Sequence, residues 1–175
     1  MKTIYDPGWG VVWRIYSKEN LKKSIWLPLI LTVVSFAVCF FSKKNPLGLI
    51  EYVGSTILSV GPNMLGFTLS GYALMMGLSN SEFIQGLINF REEGKEYSLF
   101  QSLNTVFAVV LGMMFLTTLV GAFTCIIIKA EISLPKDLDD LTDMYNWICL
   151  FILMFLMYYT INAIKDIVIN IFNFG

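Results

Sequence analysis

The sequence predicts an all-α integral membrane protein with four transmembrane helices and cytoplasmic helix extensions. Three observations carry this expectation. Apolar residues make up 56% of the 175 positions and charged residues only 14%, about half the charge of a soluble domain. Mean hydropathy is +0.68. The apolar residues fall in runs near the length of a bilayer crossing, ~20 residues. A soluble domain of this size has too much surface to cover with so little polarity. Low hydrophobicity is the mark of disorder, and this chain has the reverse.

The N-terminal segment 9–24 reads as amphipathic, with Trp13, Tyr16, Asn20 and Lys23 in helical rhythm. The first span covers 25–42 and holds Pro28 near its start, where a first turn tolerates proline. Trp9, Trp13 and Trp26 flank it as interfacial anchors. No cleavable signal is expected. The segment before the run is long and irregular, and Lys43 and Lys44 stand where small cleavage-site residues would be required.

The second segment, 47–78, is longer than one span and is interrupted at Gly61-Pro62. Asn45-Pro46 is a good helix start, with Asn as cap and Pro at the first position. From there to Val60 a helix reaches only about 24 Å. Two readings are open: a re-entrant half-helix over 46–60, or one long helix kinked at Pro62. A fifth crossing is a minor third. Glu51, Ser55 and Ser59 recur every fourth residue and, with Asn63, form a polar stripe; Ile50, Val53, Ile57 and Val60 occupy the opposite side. An ionisable group within a membrane is a candidate site by default, so the stripe is a candidate pore or vestibule lining. The blander alternative sets Glu51 among headgroups and lets the serines bond back to their own helix.

Past the break, Gly66, Ser70, Ala73 and Gly77 make a small-residue seam at spacings of 4, 3 and 4. Such seams let helix backbones approach closely in lipid. The third span, 103–128, repeats the device with Ala108 and Gly112, then Thr117, Gly121 and Cys125. The seams serve packing within one protomer or join protomers; four thin spans enclose little interior, so a homo-oligomer is expected. Asn63, Asn104 and Asn162 are expected to hydrogen-bond across helices.

Between the second and third spans, Phe83, Ile84, Leu87, Ile88 and Phe90 mark an apolar face on 81–91, with Gly94 as a plausible stop. Arg91, Glu92, Glu93 and Lys95 form a mixed-charge tip, the natural docking surface for a soluble partner. The fourth span, 145–164, carries Tyr145, Trp147, Tyr158 and Tyr159 near its ends. Its helical spacing continues to the C-terminus, and Lys165-Asp166 reads as a snorkelling, solvated pair.

Charge placement orients the chain. With four spans, Lys2, Arg14, Lys18, Lys22, Lys23, Arg91, Lys95 and Lys165 lie on one side, and Lys43, Lys44, Lys129 and Lys136 on the other. Eight against four places both termini in the cytoplasm. Asp137, Asp139, Asp140 and Asp143 then face outward at the start of the fourth helix, where its dipole favours them.

Several function classes are disfavoured. Net charge is −1, which gives no footprint for nucleic acid. There is no histidine, so Ser-His-Asp triads and histidine metalloprotease helices are absent. Cys39, Cys125 and Cys149 lie inside apolar runs without CxxC spacing and read as small hydrophobes. The expectation is a protein without enzyme activity, cofactor or metal.

At Pro62-Asn63-Met64-Leu65-Gly66-Phe67, followed by the small-residue seam, the chain resembles small four-span inner-membrane proteins of bacterial anti-phage systems, the KwaA family of the Kiwa system. The resemblance implies an oligomeric sensor or scaffold in the bacterial inner membrane that detects envelope disturbance and holds a cytoplasmic effector. The alternative from the residues themselves is an oligomeric ion channel or toxic pore lined by Glu51, Ser55, Ser59 and Asn63.

Overall fold

The computed structural model describes residues 10, 12, 15, 16, 18–42, 44–77, 82–91, 94, 96–130 and 139–174. Every element among them is a helix: α1 (Lys18–Phe41), α2 (Pro46–Gly77), α3 (Glu82–Asn89), α4 (Leu99–Lys129) and α5 (Asp139–Phe174). Trp9, Trp13, Glu92, Glu93, Lys95, Lys136 and Asp137 lie outside the described residues.

Three of the helices are long and apolar enough to cross a membrane, over Ser24–Phe41, Leu99–Lys129 and Thr142–Ile169. That is the signature of a helical membrane protein. α2 is longer than the first of these, but its Gly, Ser, Pro and Asn residues dilute its hydropathy.

The helix starts follow local chemistry. The Asn45 side chain accepts a hydrogen bond from the Leu47 amide at 2.9 Å, with Pro46 at the first position. Ser98 caps α4 in a reciprocal box. Its hydroxyl accepts from the Gln101 amide at 3.2 Å, and the Gln101 side chain accepts from the Ser98 amide at 2.8 Å. Between α3 and α4, Gly94 takes a left-handed φ of 79°, and the Leu99 amide bonds the Phe90 carbonyl at 3.0 Å. α3 lays Ile84 and Leu87 inward, both buried, and packs on α4.

One expectation about proline is corrected and one open choice is decided. α1 begins at Lys18, so Pro28 sits in mid-helix rather than in a first turn. The amphipathic lead-in and the first span are one helix from Lys18 onward. Gly61-Pro62 does not divide the second segment either: α2 is a single 32-residue helix with Pro62 inside it. A helix-interior proline costs about 3 kcal/mol. α2 recovers this by packing along α4, from Gly54 beside Gly121 and Cys125 to Tyr72 against Phe107.

These pairings make α2 and α4 antiparallel. α5 runs beside both: Leu150, Leu153 and Met154 pack with Ile50, Val53 and Ile57 of α2, while Ala163 and Ile167 pack with Leu103, Phe107 and Val110 of α4. α1 touches α5 alone among the described helices. Phe36 meets Trp147 and Phe151 edge-on at 5.5 and 5.4 Å, and Ser35 bonds the Tyr158 hydroxyl at 2.8 Å.

Candidate functional site

The continuous α2 changes the meaning of its residues. Sequence reading divides them into a polar stripe that ends at Asn63 and a small-residue seam that starts at Gly66. On one helix, Glu51, Ser55, Ser59, Asn63, Gly66, Ser70, Ala73 and Gly77 follow each other at spacings of 4, 4, 4, 3, 4, 3 and 4. At 100° per residue they occupy one arc of about 120°. All eight are exposed. The stripe runs from Glu51 to Gly77, 26 residue steps or about 39 Å at 1.5 Å per step.

Its opposite side holds the protomer together. Ile50, Val53, Gly54, Ile57 and Thr68 are buried there. Val60, expected on this side, is instead 43% exposed. Gly54 and Gly61 allow close approach to α4. A Cβ at Gly54 would meet Cys125 Sγ at 2.8 Å, and one at Gly61 would meet Thr118 Oγ1 at 2.6 Å. Gly121 answers from α4, where a Cβ would meet Ile57 Cγ2 at 2.7 Å. Of the small residues expected on the third span, Gly121 and Thr117 therefore pack inside the protomer. Thr117 hydrogen-bonds Thr160 of α5 at 2.8 Å. Gly112 is only partly buried. By contrast, a Cβ at Gly66 or Gly77 would meet nothing within 4 Å.

The hydroxyls and amide of the stripe are largely satisfied by α2 itself. Ser59 Oγ donates to the Thr56 carbonyl at 3.0 Å, Asn63 Nδ2 to the Ser59 carbonyl at 3.0 Å, and Ser70 Oγ to the Gly66 carbonyl at 2.9 Å. Asn63 thus does not reach across to another helix, as the sequence suggests; it faces away from α4 and bonds one turn back. The stripe is made of small, largely self-bonded groups, with one charge, Glu51, near its start, and exposed Tyr52 and Leu69 stand within the same arc. The crevice where α2, α4 and α5 meet holds about 110 Å³ beside Gly61, Thr117 and Thr160. That is room for about four waters, far short of a path through a ~30 Å hydrocarbon core.

A second polar centre joins α1 to α5. Asn162 Nδ2 donates to the Ser24 carbonyl at 3.0 Å, which bears out its expected cross-helix bond. Ser24 Oγ donates to Asp166 Oδ2. Tyr16 hydrogen-bonds Ser24 and Tyr159, and burial raises its phenol pKa above the ordinary value. Asp166 is therefore more than half of a solvated pair. Its side chain is 27% exposed and ties two helices together, while Lys165, 52% exposed, stands 3.7 Å away. Sequence reading misses this centre because Tyr16, Ser24 and Tyr159 share no motif and lie up to 143 positions apart. Asn104 Oδ1 is buried without a hydrogen-bond partner.

Of the proposed docking tip, Arg91 is exposed, and its other three members fall outside the described residues. Cys39, Cys125 and Cys149 are free thiols. Comparison with known proteins finds no matching family model, no similar curated protein and no similar solved structure.

Proposed function

We propose that this chain is the subunit of a non-enzymatic homo-oligomeric membrane assembly, in which the outward stripe of α2 packs on other copies. α2 is taken as a fourth crossing because it lies against α4, a span by length and composition, over most of its own length. The observation that carries the reading is a contrast between exposed surfaces. α1 exposes Trp26, Ile30, Val34, Val38 and Phe41, and α4 exposes Phe115, Leu119, Phe123 and Ile126. These are bulky groups suited to lipid tails. The α2 arc is mostly small: of the eight stripe residues only Glu51 is larger than Asn, and Tyr52 and Leu69 are the exposed bulky residues that share the arc. Small faces favour helix–helix contact in membranes, where lipid tails give no hydrophobic drive between helices and close packing supplies the attraction.

In this reading both termini lie in the cytoplasm of a bacterial cell and the assembly sits in the inner membrane, following the basic-residue count. The end bearing α3 and Arg91 then presents a docking surface to a soluble effector, as in an anti-phage sensor or scaffold. Single cysteines at Ala73 or Gly66, in a chain whose three native cysteines are replaced, test the contact. Disulfide-linked dimers should form in native membranes at these sites and not at Phe123. Equal crosslinking at all three positions would overturn the reading.

The position of Glu51 favours a second role for the same assembly, as a conduit. Glu51 is exposed at the start of the stripe and is the sole charge on α2. Stripes facing a common axis would set a ring of carboxylates at one mouth. Cation flux from vesicles, lost in Glu51→Gln, supports this role. Vesicles that stay tight under voltage and tension rule it out.

A further inference from the structure

Pro28 lies inside α1 and is fully buried. Proline has no amide hydrogen, so the carbonyl four residues earlier, that of Ser24, loses its donor within the helix. A buried carbonyl left unpaired is costly. α5 supplies the missing donor: Asn162 Nδ2 bonds the Ser24 carbonyl at 3.0 Å, in a buried position. One turn further along α5, Asp166 accepts the hydroxyl of the same serine. Tyr16 hydrogen-bonds both Ser24 and Tyr159 of α5. On the other side of the proline, Thr32 Oγ1 donates to the Pro28 carbonyl at 2.7 Å. A helix proline and a threonine back-bond are both recognised causes of bending, and here they fall in adjacent turns.

The two sides of this proline are held to α5 by different forces. After it, the contact is largely aromatic: Phe36 meets Trp147 and Phe151, and Phe40 meets Trp147 at 5.3 Å. Before it, the described bonds to α5 are polar, through Ser24 and Tyr16. Hydrogen bonds between membrane helices are individually weak. Ser24 also stands where the apolar stretch of α1 starts, so water and headgroups compete for the same polar groups. α1 packs on no described helix except α5. Its movement therefore leaves the packing of α2, α4 and α5 intact.

We propose that residues 18–27 of α1 are a swinging arm, pivoting at Pro28 and latched to α5 by Asn162 and Asp166. In the latched state Asn162 stands in for the amide that proline lacks. In the released state the Ser24 carbonyl and hydroxyl turn to water and headgroups, while the aromatic half of α1 stays docked on Trp147 and Phe151. The arm needs neither the stripe on α2 nor an oligomer.

The test measures nitroxide distances by double electron–electron resonance on the full chain in nanodiscs, with the three native cysteines replaced. One label pair, at Trp26 and Phe115, reports the arm, and a second, at Val38 and Phe123, reports the aromatic half. All four positions are exposed. Asn162→Leu should raise the ratio of released to latched arm about tenfold, as for a buried acceptor left unpaired, and leave the second pair unchanged. Ser24→Ala, which removes the hydroxyl but keeps the carbonyl bond, should raise it about threefold, the worth of an average bond between membrane helices. In a Pro28→Ala chain the amide of residue 28 bonds the Ser24 carbonyl itself, and Asn162→Leu should then change the ratio by less than about twofold. An arm that stays latched in Asn162→Leu or in Ser24→Ala would overturn the proposal. So would an equal effect of Asn162→Leu with and without the proline, or a shift of both label pairs together, which marks α1 leaving as a rigid rod.

Discussion

On α2, Gly54 and Gly61 face α4, whereas Gly66 and Gly77 face away from every other described helix. In sequence the two sets look alike: small residues in an apolar helix, a few turns apart. In space the first set has lost its room. Cβ atoms there would come within 2.8 Å of Cys125 or 2.6 Å of Thr118. The second set has nothing within 4 Å. The contrast teaches that a small residue in an apolar helix is a permission for close approach, not evidence that approach occurs within the same chain. One set is used inside the protomer. The other is left for lipid, water or a second copy, and lipid gains least from it.

The sharpest way to break this contrast is Gly121→Leu. Its Cβ would already stand 2.7 Å from Ile57 Cγ2, so the larger side chain must push α2 and α4 apart. A loss of about 3 kcal/mol is expected, the upper part of the usual range for overpacking. It would appear as a lower thermal midpoint of the protomer in detergent. Gly66→Leu with Gly77→Leu should do the reverse. Protomer stability should stay within about 0.5 kcal/mol, as for other exposed substitutions, while the proposed oligomer, measured by mass photometry in nanodiscs, should fall apart. A double variant that destabilises the protomer as Gly121→Leu does would erase the distinction between the two faces.

Smaller effects sharpen the inward face. Thr160→Val removes the partner of Thr117, at 2.8 Å, and should cost about 1 kcal/mol, within the range for hydrogen bonds between membrane helices. Ser59→Ala on the outward face loses only a bond to its own helix, to the Thr56 carbonyl. It should change the unfolding midpoint by less than Thr160→Val does. Parity of the two would mean that the outward polar groups carry more of the protomer than their bonding suggests.

Much of the helical plan was legible because it depends on short-range chemistry. The Asn45-Pro46 start, the left-handed Gly94 and the apolar face of α3 each follow from neighbouring residues. Pro62 was not legible in the same way. Locally it removes the amide that would bond the Leu58 carbonyl, and a break is the natural expectation. The opposing term comes from α4, tens of residues away, whose contacts extend on both sides of the proline. The polar centre at Ser24, Asn162 and Asp166 escaped for a similar reason. Asn162 was expected to bond across helices, but nothing local identifies its acceptor 138 positions earlier. Asn63 shows the opposite error. An amide in an apolar run suggests a partner on another helix, yet its own helix supplies the carbonyl of Ser59.

The sequence by itself determined the medium and the class of secondary structure. With 14% charge and runs of large apolar residues, backbone groups must be satisfied inside each segment, and helices do that. It also determined which residues are small enough for close contact. Only the tertiary structure decided which of them are in contact. The direction of each face depends on how α2 is turned about its axis, and that rotation is set by packing Ile50, Val53 and Ile57 against α5 and by seating Gly54 and Gly61 on α4. Once they face inward, the 100° step of the helix sends Glu51, Ser55, Gly66 and Gly77 outward as one continuous surface.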